Sequence, residues 1–280
     1  MNRQANTQPA AIPILAYHLV TDRFDLGIAR VTTSQFKAHL NWLVDRGYRS
    51  LTLRQYSEKL SAGQLTGDRY VVFTFDDAYE CLEQAAELMG EAGFIGTCFA
   101  VTSCVGKNND WDYQFFIRKW RHASFALLRD LSEQGWEVGS HSHTHRNLTQ
   151  LAAKDIEREL SLSRQILQQE LGTQVDSISY PFGRTNQTIC RLAQNAGYRQ
   201  GVALGIRPAL SRKLGTMGLP RIGMYLTDSR RIFAYKIRNP VPIYRVQMAI
   251  SAFSAGTMIW KKLWSWNKKK SKSFIIPLVK

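Results

Sequence analysis

Residues 71–80, Val-Val-Phe-Thr-Phe-Asp-Asp-Ala-Tyr-Glu, run a short apolar segment of strand length straight into two adjacent carboxylates, Asp76 and Asp77. Neighbouring acids repel, and burying either one uncompensated is costly. The pair is tolerable if both are solvated, if one is protonated, or if a cation lies between them. The simplest reading is a solvated turn in which an Asp caps a helix beginning near Ala78. The other reading turns on the strand. In parallel sheets and α/β barrels the carboxyl ends of strands carry the chemistry, and both acids stand at such an end.

The pattern repeats outward from there. "IPILAYH" (12–18), "YRSLTL" (48–53), "IGTCFAVT" (95–102), "WEVGS" (136–140), "VDSISYPFG" (175–183), "YRQGVAL" (198–204) and "LPRIGM" (219–224) read as strands. Between them lie helical stretches, among them 34–47 capped by Ser34, one near 79–91, and 153–172 with Ile156, Leu160, Ser163 and Leu167 on one side. About seven alternations of strand and helix imply parallel βαβ units, hence an α/β fold. Spacing alone leaves a barrel and a doubly wound sheet both open.

A chain of 280 residues fits a single α/β barrel, and its apolar content excludes global disorder. The four cysteines form no CxxC pair, which suits a reducing compartment. No leader-like apolar run precedes Pro13, and no uncharged stretch reaches the ~20 residues of a spanning helix. The expected location is therefore cytoplasmic, with the inner membrane face as a peripheral site. The net charge of +15 is uneven: residues 1–228 hold only +3, and the rest has twelve basic and no acidic residues. In that tail, residues 246–260 are uncharged, and Trp260, Trp264 and Trp266 interleave with Lys261, Lys262 and Lys268 to Lys270. Such a segment suits an anionic membrane surface, or packs as a final helix on the barrel. No nucleic-acid motif accompanies it, so nucleic acid is not an expected partner. The implied organisation is a flexible terminus (1–11), a catalytic unit (12–238) and a basic, partly amphipathic extension (239–280).

"WEVGSHSHTHRNL" places His141, His143 and His145 just after a strand. On one helical turn His141 and His145 share a face and His143 points elsewhere. In an extended segment all three face one side. The turned look of the following "RNLTQL" favours the outer pair. A carboxylate and two imidazoles at strand ends make a three-ligand site for zinc or a similar divalent ion. One Asp then binds the cation while the other stays ionised beside it as a general base. The loop "NNDWDYQ" (108–114) offers Trp111 and Asp112 to a sugar groove, or is a surface loop anchored by one Trp.

"TFDD", "HSHTH" and "SYPFG" together resemble the first three motifs of the polysaccharide deacetylases, carbohydrate esterase family 4 or NodB homology domain, from about Ile12 to about Met224. The resemblance implies a deformed (β/α) barrel of about seven parallel strands that removes N-acetyl groups from amino sugars of a glycan. It implies Asp76 as base, Asp77, His141 and His145 as metal ligands, and Tyr180, Pro181 and Phe182 at the substrate; the N–H of Phe182 or of a neighbour would then face the oxyanion. Two positions depart from the pattern. Ser179 stands where the third motif begins with a base-orienting Arg, a role left to Arg184 or Arg221, each of which reads equally as a surface or sheet-edge cation. No His follows His145, so the late acid motif is missing. "ILAYH", however, is similar to the start of the circularly permuted members, which include poly-β-1,6-N-acetylglucosamine deacetylases, and there an early His is the acid. His18 would fill that role, or caps its strand end structurally. A catalytically silent glycan-binding module of the same fold is the alternative.

Overall fold

The protein is described here from a computed structural model, which covers residues 12–24, 29–65, 69–108, 120–239 and 243. Trp111, Asp112 and nearly all of the 239–280 extension lie outside the described residues. Ten strands occur among those described: β1 (Ile14–Tyr17), β2 (Leu19–Val20), β3 (Arg30–Val31), β4 (Arg49–Leu51), β5 (Tyr70–Phe75), β6 (Thr97–Ala100), β7 (Glu137–Ser140), β8 (Ser177–Ser179), β9 (Gln200–Leu204) and β10 (Leu219–Gly223). The helices are α1 (Thr33–Val44), α2 (Leu53–Ser61), α3 (Leu82–Glu91), α4 (Phe125–Glu133), α5 (Ala153–Leu171), α6 (Gln187–Asn195), α7 (Pro208–Leu214) and α8 (Arg230–Arg238).

Seven parallel strands close into a barrel in the order β1-β10-β9-β8-β7-β6-β5, with β5 returning to β1. Closure rests on a four-residue register, from Ile14 opposite Val72 to Tyr17 opposite Phe75. That register sets His18 beside Asp76, one residue past each strand. β4 runs along the first half of β5, and β2 and β3 form a separate short ribbon.

The apolar run of β5 hides a period of two. Val71, Phe73 and Phe75 join the helix-side core, with Leu15, Tyr17, Phe36 and Trp136. Val72 belongs to a second cluster with Ile14, Phe99, Val202 and Leu219, which fills the barrel. Successive side chains of a strand alternate faces, so Thr74 and Asp76 follow Val72 inward. Gly139 on β7 makes room for this filling: a Cβ there would lie 2.7 Å from the Phe99 ring. Below the apolar layer, Glu137 accepts from Ser177 Oγ, Thr97 Oγ1 and the Arg54 N–H. Above it lies the polar end that carries the site.

Several local expectations need correction. The cap of α1 is Thr32, not Ser34: its hydroxyl accepts from the Gln35 N–H while the Gln35 side chain accepts from Thr32 N–H. α3 starts at Leu82 rather than near residue 79, and no Asp caps it. Asp77 and Ala78 instead hold left-handed backbone, with φ of 65° and 46°, and turn the chain sharply off the strand. No described helix is long and apolar enough to cross a membrane.

Candidate active site

Five strand ends supply the site. Asp76 leaves β5 fully buried, and Arg221 of β10 reaches it through the barrel. The two Nη atoms of Arg221 donate to the two carboxylate oxygens of Asp76, each at 2.7 Å. The same guanidinium donates to Thr74 Oγ1 at 3.1 Å and Ser179 Oγ at 2.9 Å. Burial pushes the Asp76 carboxyl upward, but nearby positive charge, Arg221 foremost, outweighs it and holds the acid below the usual carboxylate range. Asp76 is therefore an ionised carboxylate in a buried place. His18 Nε2 lies 3.9 Å from its Oδ2, and the His18 side chain is about a quarter exposed, at 24%.

Asp77 points elsewhere. Its Oδ1 lies 3.6 Å from both His141 Nε2 and His145 Nε2. These are the only three described His, Cys, Asp or Glu side chains gathered as a metal-ligand group, with donor atoms within 4.8 Å of one another. A separation of 3.6 Å is too long for a hydrogen bond. Donors each ~2.1 Å from a tetrahedral cation lie about 3.4 Å apart, so the donor set fits one divalent ion. The imidazoles are prepared for it. His141 Nδ1 donates to the Ser179 carbonyl at 2.7 Å, which leaves the Nε2 lone pair facing Asp77. Burial lowers the His141 pKa to about 4 and that of His145 well below the ordinary value, so both stay neutral at pH 7.

The histidine segment is neither helix nor strand. It turns through Ser142 and His145, at φ of 67° and 55°. Glu159 of α5 accepts from the N–H groups of His143 and Thr144, at 3.0 and 2.8 Å, and from the Thr144 hydroxyl. Ser142 Oγ accepts from the His145 N–H at 3.1 Å. This turn brings the rings of His141 and His145 to 4.8 Å and sends His143 away, its Nδ1 2.8 Å from Thr102 Oγ1.

Residues 63–201 match the family model of polysaccharide deacetylase. This part of the chain belongs to the polysaccharide deacetylase family. YxkH of Bacillus subtilis, named for the same family, is 29% identical over 217 residues, covering 77% of this chain and 72% of that one. The poly-β-1,6-N-acetyl-D-glucosamine N-deacetylase of Staphylococcus aureus is 25% identical over 184 residues, covering 62% of this chain and 61% of its own. Among solved structures, deacetylase PplD of Streptococcus pyogenes, in complex with acetate, shares the fold at a TM-score of 0.70. It is 22% identical and is covered to 99%, against 82% of this chain.

Within the polysaccharide deacetylase pattern, Ser179 occupies the place of the expected Arg, and Arg221 stands on Asp76 from another strand. The small Ser179 hydroxyl accepts from Arg221 where a larger side chain would fill the space. Arg184 is not at Asp76; it lines a groove beside Phe182. Of the third-motif residues, Tyr180 and Pro181 are buried, Tyr180 within the core. Phe182 is half-buried, at φ 58°, with its ring 4.7 Å from that of His145. Gly183 follows at φ +63°, where a Cβ would lie 2.3 Å from the Leu204 carbonyl oxygen.

Two contributors carry no sequence signal of their own. His122 is buried, and its Nδ1 donates to the Asp77 carbonyl at 2.7 Å. With the Ala123 N–H donating to the Ala78 carbonyl at 2.8 Å, it clamps the left-handed turn that aims Asp77. Glu159 sits on the apolar side of α5, where the periodicity announces only core. Neither forms a motif.

Proposed function

We propose that this chain is a metal-dependent carbohydrate N-deacetylase, with zinc as the cation and an N-acetylglucosamine-containing glycan as the substrate. One observation carries the reading: an ionised, Arg221-clamped Asp76 stands next to a neutral-imidazole and carboxylate triad that fits one divalent ion. The family match and the staphylococcal relative's name support the same substrate class. N and O donors of this kind suit zinc.

A cation held by Asp77, His141 and His145 would polarise the acetyl carbonyl and acidify a water. The chain supplies the proton chemistry. Asp76, ionised and oriented by Arg221, accepts the proton of the attacking water. The backbone N–H of Phe182, whose ring packs on that of His145, donates to the developing oxyanion. His18, whose Nε2 lies 3.9 Å from Asp76 Oδ2, gives a proton to the leaving amine as the C–N bond breaks. Water is thus divided between acetate and the free amino sugar. The silent-module alternative drew on the missing third-motif Arg and the missing late His; Arg221 on Asp76 and His18 beside it favour the enzyme reading.

The test is acetate release from β-1,6-linked N-acetylglucosamine oligomers with added zinc. The wild type releases acetate, and Asp76→Asn binds zinc without turnover. Full turnover by Asp76→Asn would overturn the assignment of the base.

A further inference from the structure

Two charged side chains lie deep in the protein and take no direct part in the proposed reaction. Asp228, just before α8, is 2% exposed, and Lys236 of α8 is 8% exposed. Lys236 Nζ donates to Asp228 Oδ2 at 2.5 Å and to the Gly223 carbonyl at 2.8 Å. The same Oδ2 accepts from the Tyr225 N–H at 2.9 Å. A buried ion pair of this kind adds little stability over well-packed apolar side chains, because desolvation offsets the attraction. What it does supply is fixed geometry, and its position shows where.

The pair grips the strand ends that carry the site. Gly223 ends β10, two residues past Arg221, and the next N–H, that of Met224, donates to the Ala16 carbonyl of β1 at 2.9 Å. On β1, Tyr17 Oη lies 3.1 Å from His39 Nδ1, and His39 Nε2 lies 2.9 Å from the Asp228 carbonyl oxygen. The Tyr17 ring packs on Phe36 and Phe75, with centroids 5.2 and 5.5 Å away. The Tyr17 carbonyl accepts from the Asp76 N–H at 2.9 Å, and the residue after Tyr17 is His18. One connected chain, from Tyr17 through His39, Asp228 and Lys236 to Gly223, thus runs behind the acid, the base and the arginine on the base. It joins β1 and β10, two barrel strands that lie wholly outside the matched residues 63–201.

We propose that Asp228 and Lys236 are positioning residues for the deacetylation: their buried ion pair fixes, through Tyr17 and Gly223, the place of His18 relative to the Arg221-held Asp76. The inference rests on the deacetylase reading above.

The experiment measures kcat and KM for acetate release from β-1,6-linked N-acetylglucosamine oligomers by zinc-loaded wild type and Lys236→Met/Asp228→Asn. The double variant removes both charges together and leaves an amide oxygen for the Tyr225 N–H. It should fold with nearly the wild-type melting temperature and zinc affinity. Its kcat should fall about tenfold to a hundredfold, as a misplacement of about 1 Å near the chemistry can produce, while KM changes by less than about twofold. Wild-type kcat in the folded double variant overturns the proposal, and so does a kcat loss matched by an equal loss of zinc affinity. If the double variant does not fold, Tyr17→Phe decides, since it keeps the ring and removes only the hydroxyl link. A kcat loss of about threefold or more at an unchanged melting temperature supports the proposal, and an unchanged kcat overturns it. Should the wild type itself release no acetate, the deacetylase reading fails, and NMR of zinc-loaded protein with isotope-labelled histidine decides the positioning alone. The His18 ring resonance is assigned by its disappearance in His18→Gln. Its displacement in the folded variant supports the proposal; an unmoved resonance overturns it.

Discussion

Arg221 and Asp76 meet as a buried bidentate pair, 145 residues apart in the chain, with both contacts at 2.7 Å. Removing the guanidinium leaves an unpaired carboxylate in the barrel, which costs about 3–5 kcal/mol. Arg221→Met should therefore lower stability by that order in denaturant titration. It should also raise the Asp76 pKa, because burial would then lose its main opposing charge. The acid limb of the kcat/KM profile should move to higher pH, a shift that mere loss of stability would not produce. Arg221→Lys keeps the charge but not the fork, and should fall between the two. An unmoved acid limb in soluble, folded Arg221→Met would separate Arg221 from the base.

The Asp77, His141 and His145 triad makes a prediction about metal removal. A cation that binds only the folded state stabilises it by about 2.7 kcal/mol at 100 times its dissociation constant. Zinc added to chelator-treated wild type should raise the melting temperature accordingly. Asp77→Ala and His141→Ala should show no such rise, whereas Asp76→Asn should still respond. A zinc-induced rise in His141→Ala equal to that of the wild type would place the ion elsewhere.

Glu159 touches neither metal nor substrate, yet it holds the turn that brings His141 and His145 together. Glu159→Ala removes the acceptor for two backbone N–H groups and the Thr144 hydroxyl. Outer partners of metal ligands typically contribute 10–100-fold in affinity, so zinc binding should weaken by about that factor. Competition with a chromogenic chelator reads this directly. Unchanged zinc affinity in a folded Glu159→Ala protein would mean the turn keeps its shape without the anchor.

How far the sequence led depends on whether a feature is local. The βαβ alternation was legible because each element carries its own period and its own turn residues. Closure of the barrel was not legible in the spacing and came only from the family resemblance, since the β1 to β5 register joins residues far apart in the chain. The acid pair and the histidines were visible as motifs at strand ends. Their geometry was not: His141 and His145 converge through a left-handed turn rather than along a helix. Arg221 could be named only beside Arg184, because a contact between β5 and β10 leaves no trace in spacing. His122 acts through the Asp77 carbonyl and Glu159 through His143 and Thr144, and a lone His or a core-facing Glu has no pattern to find.

His39 gives a prediction at a distance from the site. It is buried in α1, stacked on Phe233 with ring centroids 4.1 Å apart. Its Nδ1 meets Tyr17 Oη at 3.1 Å, and its Nε2 lies 2.9 Å from the Asp228 carbonyl oxygen, which can only accept. Nε2 therefore carries the proton, and Nδ1 accepts from the tyrosine. Burial, only partly offset by Asp228, lowers the His39 pKa from 6.5 to about 4. In the unfolded chain the ring would take up a proton near its ordinary pKa, well before the folded ring does. The stabilisation due to its neutral form is thus present above about pH 6.5 and is lost as the pH falls toward 4. Between pH 7 and pH 5 the loss should be about 2 kcal/mol. Denaturant titrations at the two pH values, run on zinc-saturated protein so that His141 and His145 remain occupied, measure it. His39→Gln, which can still bridge Tyr17 and Asp228 but does not titrate, should lose about 2 kcal/mol less over the same interval. Equal acid sensitivity in the two proteins would assign the effect to other groups.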